Sequence, residues 1–137
     1  PFASLNPRQR VASIVAEPYS SHWGDWQHDP ANPLKSLAVK QFSSPVCRQM
    51  HGPMEEGVVA DAVADALTHR VQGALYWAHT GCRQACATIR ATKDALMEKA
   101  DIPTLVMDMD VIDPTFISEE EMKDKLEAFF ELLEERQ

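Results

Sequence analysis

A cysteine at the junction of a predicted strand and a predicted helix is the first candidate for chemistry. Residues 74–78 form a short apolar run rich in aromatic side chains, which indicates a buried strand. A polar turn follows, in which Gly81 can adopt a positive φ. Cys82 comes next, directly before a helical pattern that runs from Arg83 to about Lys99. Because unpaired N–H groups and the helix dipole favour a negative charge there, Cys82 is predicted to be a nucleophile or a metal ligand.

Zinc is one alternative use of this thiol. The candidate zinc ligands are Cys47, Cys82, Cys86, His51 and His79. Zinc sites usually contain close pairs such as C-x2-C, whereas the close pair here is Cys82-x3-Cys86. Cys86 is equally compatible with a small core residue. The spacing therefore disfavours a zinc site, although zinc stays among the alternatives.

Other kinds of site find less support in the sequence. The phosphate loop of a thiol phosphatase requires an Arg at a fixed spacing from its Cys, and Thr88 occupies that position. Glycine-rich nucleotide-binding motifs are absent from the sequence. Asp108, Asp110 and Asp113 follow a predicted strand and could hold Mg²⁺. Such acids are more often solvated loop residues and helix caps, and we favour that interpretation.

The elements around Cys82 alternate between strand and helix patterns. Strands are predicted at 11–16, 74–78 and 104–109, and helices at 34–42, 54–69, 83–100 and after a capping box at Ser118. This order predicts an α/β fold, a three-layer sandwich with a mainly parallel, flavodoxin- or Rossmann-like sheet. Ligands in such sheets bind beyond the carboxyl ends of the strands, where the loops 18–33, 79–86 and 108–114 are expected.

The number of predicted strands is small for this architecture. Only three are convincing, whereas such sheets usually have about four to six. The sequence also begins with Pro1 rather than Met. We therefore expect residues 1–137 to be a single α/β domain cut from a longer subunit. In its first loop, Trp23 and Trp26 either cover the edge of the sheet or line a ligand site.

Composition limits the environment and the partners of the chain. The net charge of −8 disfavours nucleic acid and anionic membrane surfaces as partners. No apolar run approaches the roughly 20 residues that span a bilayer, and no secretory signal is visible. Three cysteines without a disulfide spacing indicate reduced thiols, so a cytoplasmic location is predicted.

Three segments, in order, carry a resemblance to a known family. The first segment, residues 71–84, resembles a motif in which Asp-Gly and four apolar residues precede a cysteine. The second, residues 100–110, resembles a strand that begins Gly-Ile-Pro-Thr-Leu. The third, residues 125–133, resembles a C-terminal helix with the pattern Arg-Leu-x-Ala-Phe. Together they are similar to the 2-hydroxyacyl-CoA dehydratase and benzoyl-CoA reductase family. The sequence departs from the family pattern at Gln72, Ala100 and Lys125, which concern packing and a loop more than chemistry.

The resemblance implies a site and a set of partners. The chain would be the C-terminal domain of one subunit, which pairs with a homologous second subunit as a heterodimer. Each subunit would carry a [4Fe-4S] cluster held by three cysteines, of which Cys82 is the last; Cys47 and Cys86 have no counterpart among those ligands. The fourth iron site would be open to water or to the substrate oxygen. His79, Thr80 and Trp23 are candidates for hydrogen bonds to the cluster or the substrate, although no motif supports them.

The family also implies a reaction. An ATP-dependent iron–sulfur activator protein delivers one electron, the acyl-CoA thioester becomes a ketyl radical, and loss of the hydroxyl group gives an enoyl-CoA. This is a lyase reaction, and the related benzoyl-CoA branch reduces an aromatic ring instead. We expect the isolated chain to lack the cluster and to be inactive. A non-catalytic α/β regulatory or protein-binding module, with the acidic C-terminal helix as partner surface, remains the rival hypothesis.

Overall fold

The computed structural model describes residues 12–17, 26–44, 47, 53–113 and 115–136. Four helices and two strands lie in these ranges: α1 Pro33–Ser43, α2 Ala60–His69, β1 Ala74–His79, α3 Arg83–Ala100, β2 Thr104–Met109 and α4 Glu119–Glu135. A π-helical turn, Glu55–Val59, leads directly into α2. The predicted helices and the last two predicted strands are therefore confirmed, with boundaries close to those expected. None of the described helices is both long and apolar enough to cross a membrane.

The two strands pair in parallel and establish the α/β class. Ala74 lies opposite Thr104 at one end of the pair, and His79 lies opposite Met109 at the other. Helix α3 connects the carboxyl end of β1 to the start of β2, as a parallel pair requires. The prediction of an α/β fold with a parallel sheet is confirmed.

The predicted first strand is wrong where the structure describes it. Residues 12–17 have no regular structure, and Ile14 and Val15 are 70% and 52% exposed. Val11 lies outside the described residues. β-Branched residues favour a strand only when a neighbouring strand and a buried face receive them, and here both side chains face solvent. The sheet within the described ranges therefore has two strands rather than three.

Helices lie on both faces of this small sheet. Successive side chains of a strand point to opposite faces. On one face, Ala74 packs against the core that α2 and α3 share, and Tyr76 bonds to α3. On the other, a Cβ at Gly73 would lie 2.9 Å from atoms of Phe129 and Leu133 of α4. The described part of the chain thus forms three layers.

The main core lies between α2 and α3. Its buried members are Val59, Val63, Ala66, Ala95, Leu96 and Ile102. The apolar residues of α3 predict an inner face of Ala85, Ile89, Leu96 and Met97. This prediction is only partly correct, because Leu96 is buried and Ala85 and Ile89 are half-buried, whereas Met97 is 41% exposed. Thr88 and Thr92 are buried instead.

Helix α1 has its apolar face toward solvent, although the placement of Leu34, Leu37, Ala38 and Phe42 on one face is typical of a helix that packs against a core. Leu34 is 82% exposed and Phe42 is 60% exposed. The buried residue is Ser36, whose carbonyl accepts the Trp26 indole N–H at 2.6 Å and whose Oγ accepts the Asp29 N–H at 2.9 Å. Polar contacts with the preceding loop therefore hold this helix. They place Trp26 against α1 rather than against the sheet.

Local caps explain where α3 ends and α4 begins. The backbone of Asp101 is left-handed at φ 55°, and α3 ends directly before it, at Ala100. Arg136 bonds to the carboxylate of Asp101 at 2.6 Å, which links the ends of the two helices. Ser118 Oγ accepts the Glu121 N–H at 3.0 Å, and the predicted start of α4 is confirmed.

Candidate functional site

The carboxyl ends of the two strands bring two of the three predicted loops together. The Thr80 N–H donates to the Met109 carbonyl at 3.0 Å, so the first residue after β1 still bonds to the last residue of β2. The loop after β1 therefore lies beside the loop after β2. Of the third loop, residues 18–25, including Trp23, lie outside the described residues.

Cys82 occupies the N-cap position of α3, at this edge of the sheet. Its N–H donates to the His79 carbonyl at 2.9 Å, and its own carbonyl accepts the first helical bond, from the Cys86 N–H at 3.0 Å. The Ala85 N–H donates to Cys82 Sγ at 3.5 Å, a distance within the usual range for sulfur. The sulfur is half-buried rather than enclosed in the core. The predicted position of this thiol at a strand-to-helix junction is confirmed.

Gly81 serves a different purpose from the one predicted. No glycine among the described residues has a positive φ. A Cβ at Gly81 would instead lie 3.2 Å from Nε2 and 3.4 Å from Cε1 of the His79 ring. The absence of a side chain at Gly81 lets the imidazole lie back against the turn that leads to Cys82.

His79 connects this turn to the loop after β2. The Val111 N–H donates to Nδ1 at 3.4 Å, and Asp110 Oδ1 lies 3.9 Å from the same nitrogen. The two contacts demand opposite roles of Nδ1, which accepts in the first and would donate in the second. We assign the acceptor role, because 3.9 Å exceeds hydrogen-bond length and Asp110 Oδ1 already accepts the Ile112 N–H at 2.8 Å. The proton of the neutral imidazole then lies on Nε2, next to Gly81.

The other candidate zinc ligands do not assemble around Cys82. Cys86 lies one helical turn further on, exposed, with its Sγ donating to the His79 carbonyl at 3.4 Å. Cys47 instead accepts a bond from Gln41 at 3.2 Å, near the end of α1. His51 lies outside the described residues. Among the residues that the structure describes, no three His, Cys, Asp or Glu side chains converge on a possible metal position.

The aspartates after β2 organise their own loop. Asp110 Oδ1 accepts the N–H groups of Ile112 and Asp113, and Asp113 Oδ1 accepts the N–H and hydroxyl of Thr115. The Thr115 hydroxyl, and then its backbone N–H, hold the pKa of Asp113 below its usual value. These geometries match the interpretation of the acids as loop caps, and Asp108 is exposed.

A tyrosine–threonine contact that the sequence did not suggest fixes α3 to the sheet. The Tyr76 hydroxyl lies 2.6 Å from Thr88 Oγ1 and 3.0 Å from the Ala85 carbonyl. Thr88 Oγ1 also lies 2.9 Å from that carbonyl. The three groups join the middle of β1 to the first turns of α3, and so determine where Cys82 stands relative to the strand ends. An aromatic strand residue and a helical Thr are too common to signal such a pair.

The Tyr76→Phe substitution is expected to lower the free energy of unfolding by about 1–1.5 kcal/mol. It removes the hydroxyl that bonds to Thr88 and Ala85 and leaves the ring in place. Denaturant unfolding of Tyr76→Phe, Thr88→Val and the double variant would measure the coupling, which we expect to be about 0.5–1.5 kcal/mol. Thr68→Val, at an exposed position of α2, is the matched control, with a change within about 0.5 kcal/mol. Fully additive effects of the two substitutions would show that the contact does not hold α3.

Comparison with known families identifies the family of this chain. The family model described as 2-hydroxyglutaryl-CoA dehydratase, D-component, matches residues 6–133, which includes all three segments that carried the resemblance. The expected family is thereby confirmed. No curated protein and no solved structure matches the chain.

Proposed function

Because the chain belongs to the 2-hydroxyglutaryl-CoA dehydratase D-component family, we propose that Cys82 is a ligand of a [4Fe-4S] cluster in a subunit that removes water from a 2-hydroxyacyl-CoA. The observation that supports this most directly is the place of Cys82, half-buried at the N-terminus of α3 and at the carboxyl edge of the sheet. Ligands of α/β proteins bind at that edge. The matching family is one of dehydratase components, so dehydration is proposed rather than ring reduction.

The thiol of Cys82 is a suitable donor for one of the ligand positions of such a cluster. Thiolates are the protein ligands of iron–sulfur clusters, and the N-terminus of a helix favours the negative charge of a thiolate-bound cluster. The described residues hold no group of three possible metal ligands, so the remaining cluster ligands are expected from elsewhere in the complete subunit. When bound, the cluster would supply the one-electron chemistry of a radical elimination of water.

The chain's own residues would orient and position this site. The Tyr76–Thr88 contact holds α3 against β1, and the turn between them presents the Cys82 sulfur. His79 and Thr80 belong to that turn, and their proposed hydrogen bonds to the cluster or substrate rest on this proximity. Nε2 of His79 carries the proton that such a bond requires, since the Val111 N–H occupies Nδ1.

The proposed partners follow from the same assignment. They are a homologous second subunit, an ATP-dependent iron–sulfur activator protein and an acyl-CoA substrate. A lyase reaction that yields an enoyl-CoA is proposed for the complete enzyme. The chain by itself is expected to carry no stable cluster and to have no activity.

A cysteine substitution in the complete enzyme tests the cluster assignment. The full-length subunit would be purified anaerobically with its partner, as wild type, Cys82→Ala and Cys47→Ala, and analysed for iron, acid-labile sulfide and the visible spectrum. We expect Cys82→Ala to lose the cluster of this subunit. Cys47→Ala, which removes a half-buried thiol near the end of α1, should retain it. A full complement of iron and sulfide in Cys82→Ala would overturn the assignment.

A further inference from the structure

We propose that the exposed side chains of Val111 and Ile112 contact the acyl chain of the substrate, and that this chain is apolar rather than a dicarboxylate. The inference rests on the proposed function, because it concerns the substrate of the same site. The family is named after 2-hydroxyglutaryl-CoA, whose acyl group ends in a second carboxylate. The apolar loop beside the Cys82 turn, and the charges around it, favour a different acyl group.

Two adjacent apolar side chains are exposed shortly after the end of β2. Val111 is 72% exposed and Ile112 is 86% exposed. A single exposed apolar residue is ordinary, but two neighbouring β-branched residues of this exposure contribute little buried apolar area to the fold. Phe116 of the same loop is 46% exposed. Loops at the edge of a rigid sheet commonly carry binding residues, and the apolar part of a small ligand is usually held by such side chains.

The backbone of this apolar pair is held against the turn that carries Cys82. The Val111 N–H donates to His79 Nδ1 at 3.4 Å, and the His79 carbonyl accepts the Cys82 N–H at 2.9 Å. The Ile112 N–H donates to Asp110 Oδ1 at 2.8 Å. His79 therefore lies between the Cys82 turn and the apolar pair. An acyl group bound at that turn can reach Val111 and Ile112 across the width of one imidazole ring.

The charges of the loops disfavour a second carboxylate in the substrate. Residues 108–113 contain three aspartates and no Lys or Arg. Residues 79–86 contain one such cation, Arg83, and the third predicted loop, residues 18–33, contains none. A carboxylate that leaves water requires a cation or several N–H donors as partners. An alkyl or aryl chain has no such requirement. The phosphates of CoA are separated from the thioester by the pantetheine arm, so these loops need not receive them.

The size of the apolar patch fits a short acyl chain better than a protein partner. The exposed apolar side chains in the described part of this loop are those of Val111, Ile112 and Phe116. A stable protein interface involves about 20–30 residues on each side. Three side chains are enough to cover an acyl chain of a few carbons. The second subunit is the competing occupant of the loop, and the experiment distinguishes the two.

Binding of two matched CoA thioesters to the full-length subunit with its partner, prepared anaerobically, tests the inference. The probes are glutaryl-CoA and 5-methylhexanoyl-CoA, which carries an isopropyl group in place of the terminal carboxylate. Both lack the 2-hydroxyl group, so calorimetry measures binding without turnover. We expect 5-methylhexanoyl-CoA to bind roughly tenfold more tightly, because its end leaves water without an unpaired charge.

Substitutions of Ile112 test the contact itself. Ile112→Ala should weaken binding of 5-methylhexanoyl-CoA roughly 3–30-fold and leave binding of glutaryl-CoA nearly unchanged. Ile112→Lys should abolish or reverse the preference, because it removes the apolar contact and supplies a cation. Leu67→Lys is the matched control, since it places the same charge at a 55% exposed leucine near the end of α2. Helix α2 leads into the start of β1, so Leu67 lies toward the opposite edge of the sheet, and the preference should stay as in wild type.

Each outcome counts for or against the inference. Equal or tighter binding of glutaryl-CoA would overturn it, and loss of that binding in Arg83→Gln would assign the terminal carboxylate to Arg83. Unchanged binding of both thioesters to the two Ile112 variants would also overturn it. If Ile112→Lys no longer co-purifies with the second subunit, the loop belongs to the subunit interface and the inference fails. In these cases the proposed function stands if Cys82→Ala loses the cluster. If neither thioester binds the wild type, both proposals fail.

Discussion

Replacing Met107 with alanine is expected to lower the free energy of unfolding by about 2–5 kcal/mol. Met107 is 1% exposed and is the largest fully buried side chain among the described residues. It lies in β2, opposite Trp77 of β1 in the parallel register. Truncation to alanine loses the transfer free energy of the buried side chain. It also leaves a cavity, because a strand held by its partner strand cannot move to fill the space.

A second methionine provides the control for this prediction. Met97 of α3 is 41% exposed, so Met97→Ala removes the same atoms from a site that solvent already reaches. Its cost should stay below about 1 kcal/mol, measured by urea unfolding under the same conditions. Equal losses for the two variants would show that β2 is not the packed centre of the domain.

The parts of the fold that sequence predicts well are those fixed by local patterns. Helices α2, α3 and α4 follow from apolar spacing, and Ser118 marks the start of α4 because its cap involves only the next three residues. The position of Cys82 was predictable for the same reason. Strand, turn and helix follow one another directly in the sequence, so the junction is visible without knowledge of tertiary contacts.

The predictions that were wrong concern segments whose structure depends on contacts with residues far away in the sequence. Residues 12–16 have a strand composition, yet Ile14 and Val15 are exposed, and composition alone does not tell whether a neighbouring strand receives these residues. The apolar stripe of α1 is exposed for the same reason. His79 reaches the backbone of Val111, 32 residues further along the chain, and that contact has no signature in either segment.

The candidate site depends on packing at both faces of the sheet. On one face the Tyr76–Thr88 contact fixes the first turns of α3. On the other, α4 approaches the entry of β1 at Gly73. Strand β1 connects the turn that carries Cys82 to both of these packing contacts. A substitution at the entry of β1 therefore tests whether the scaffold of the site is as tightly packed as these distances indicate.

The Gly73→Ala substitution is expected to destabilise the domain by about 1–3 kcal/mol through overpacking. Its Cβ would lie 2.9 Å from Leu133 Cδ1 and 2.9 Å from Phe129 Cζ, closer than real Cβ atoms approach. Phe129 is 8% exposed, so its ring has little room to move. Urea unfolding would measure the loss, and Gln72→Ala, at the exposed neighbouring position, should change stability by less than about 0.5 kcal/mol.

A double-variant cycle with Leu133→Ala identifies the cause of that loss. Leu133→Ala alone is destabilising because it removes part of a half-buried side chain. In that background both Leu133 methyl groups near Gly73 are absent, so Gly73→Ala should cost less than it does in the wild type. We expect a favourable coupling of about 0.5–3 kcal/mol between the two substitutions. Strict additivity would mean that α4 does not approach β1 at this point and that the second face of the sheet is open.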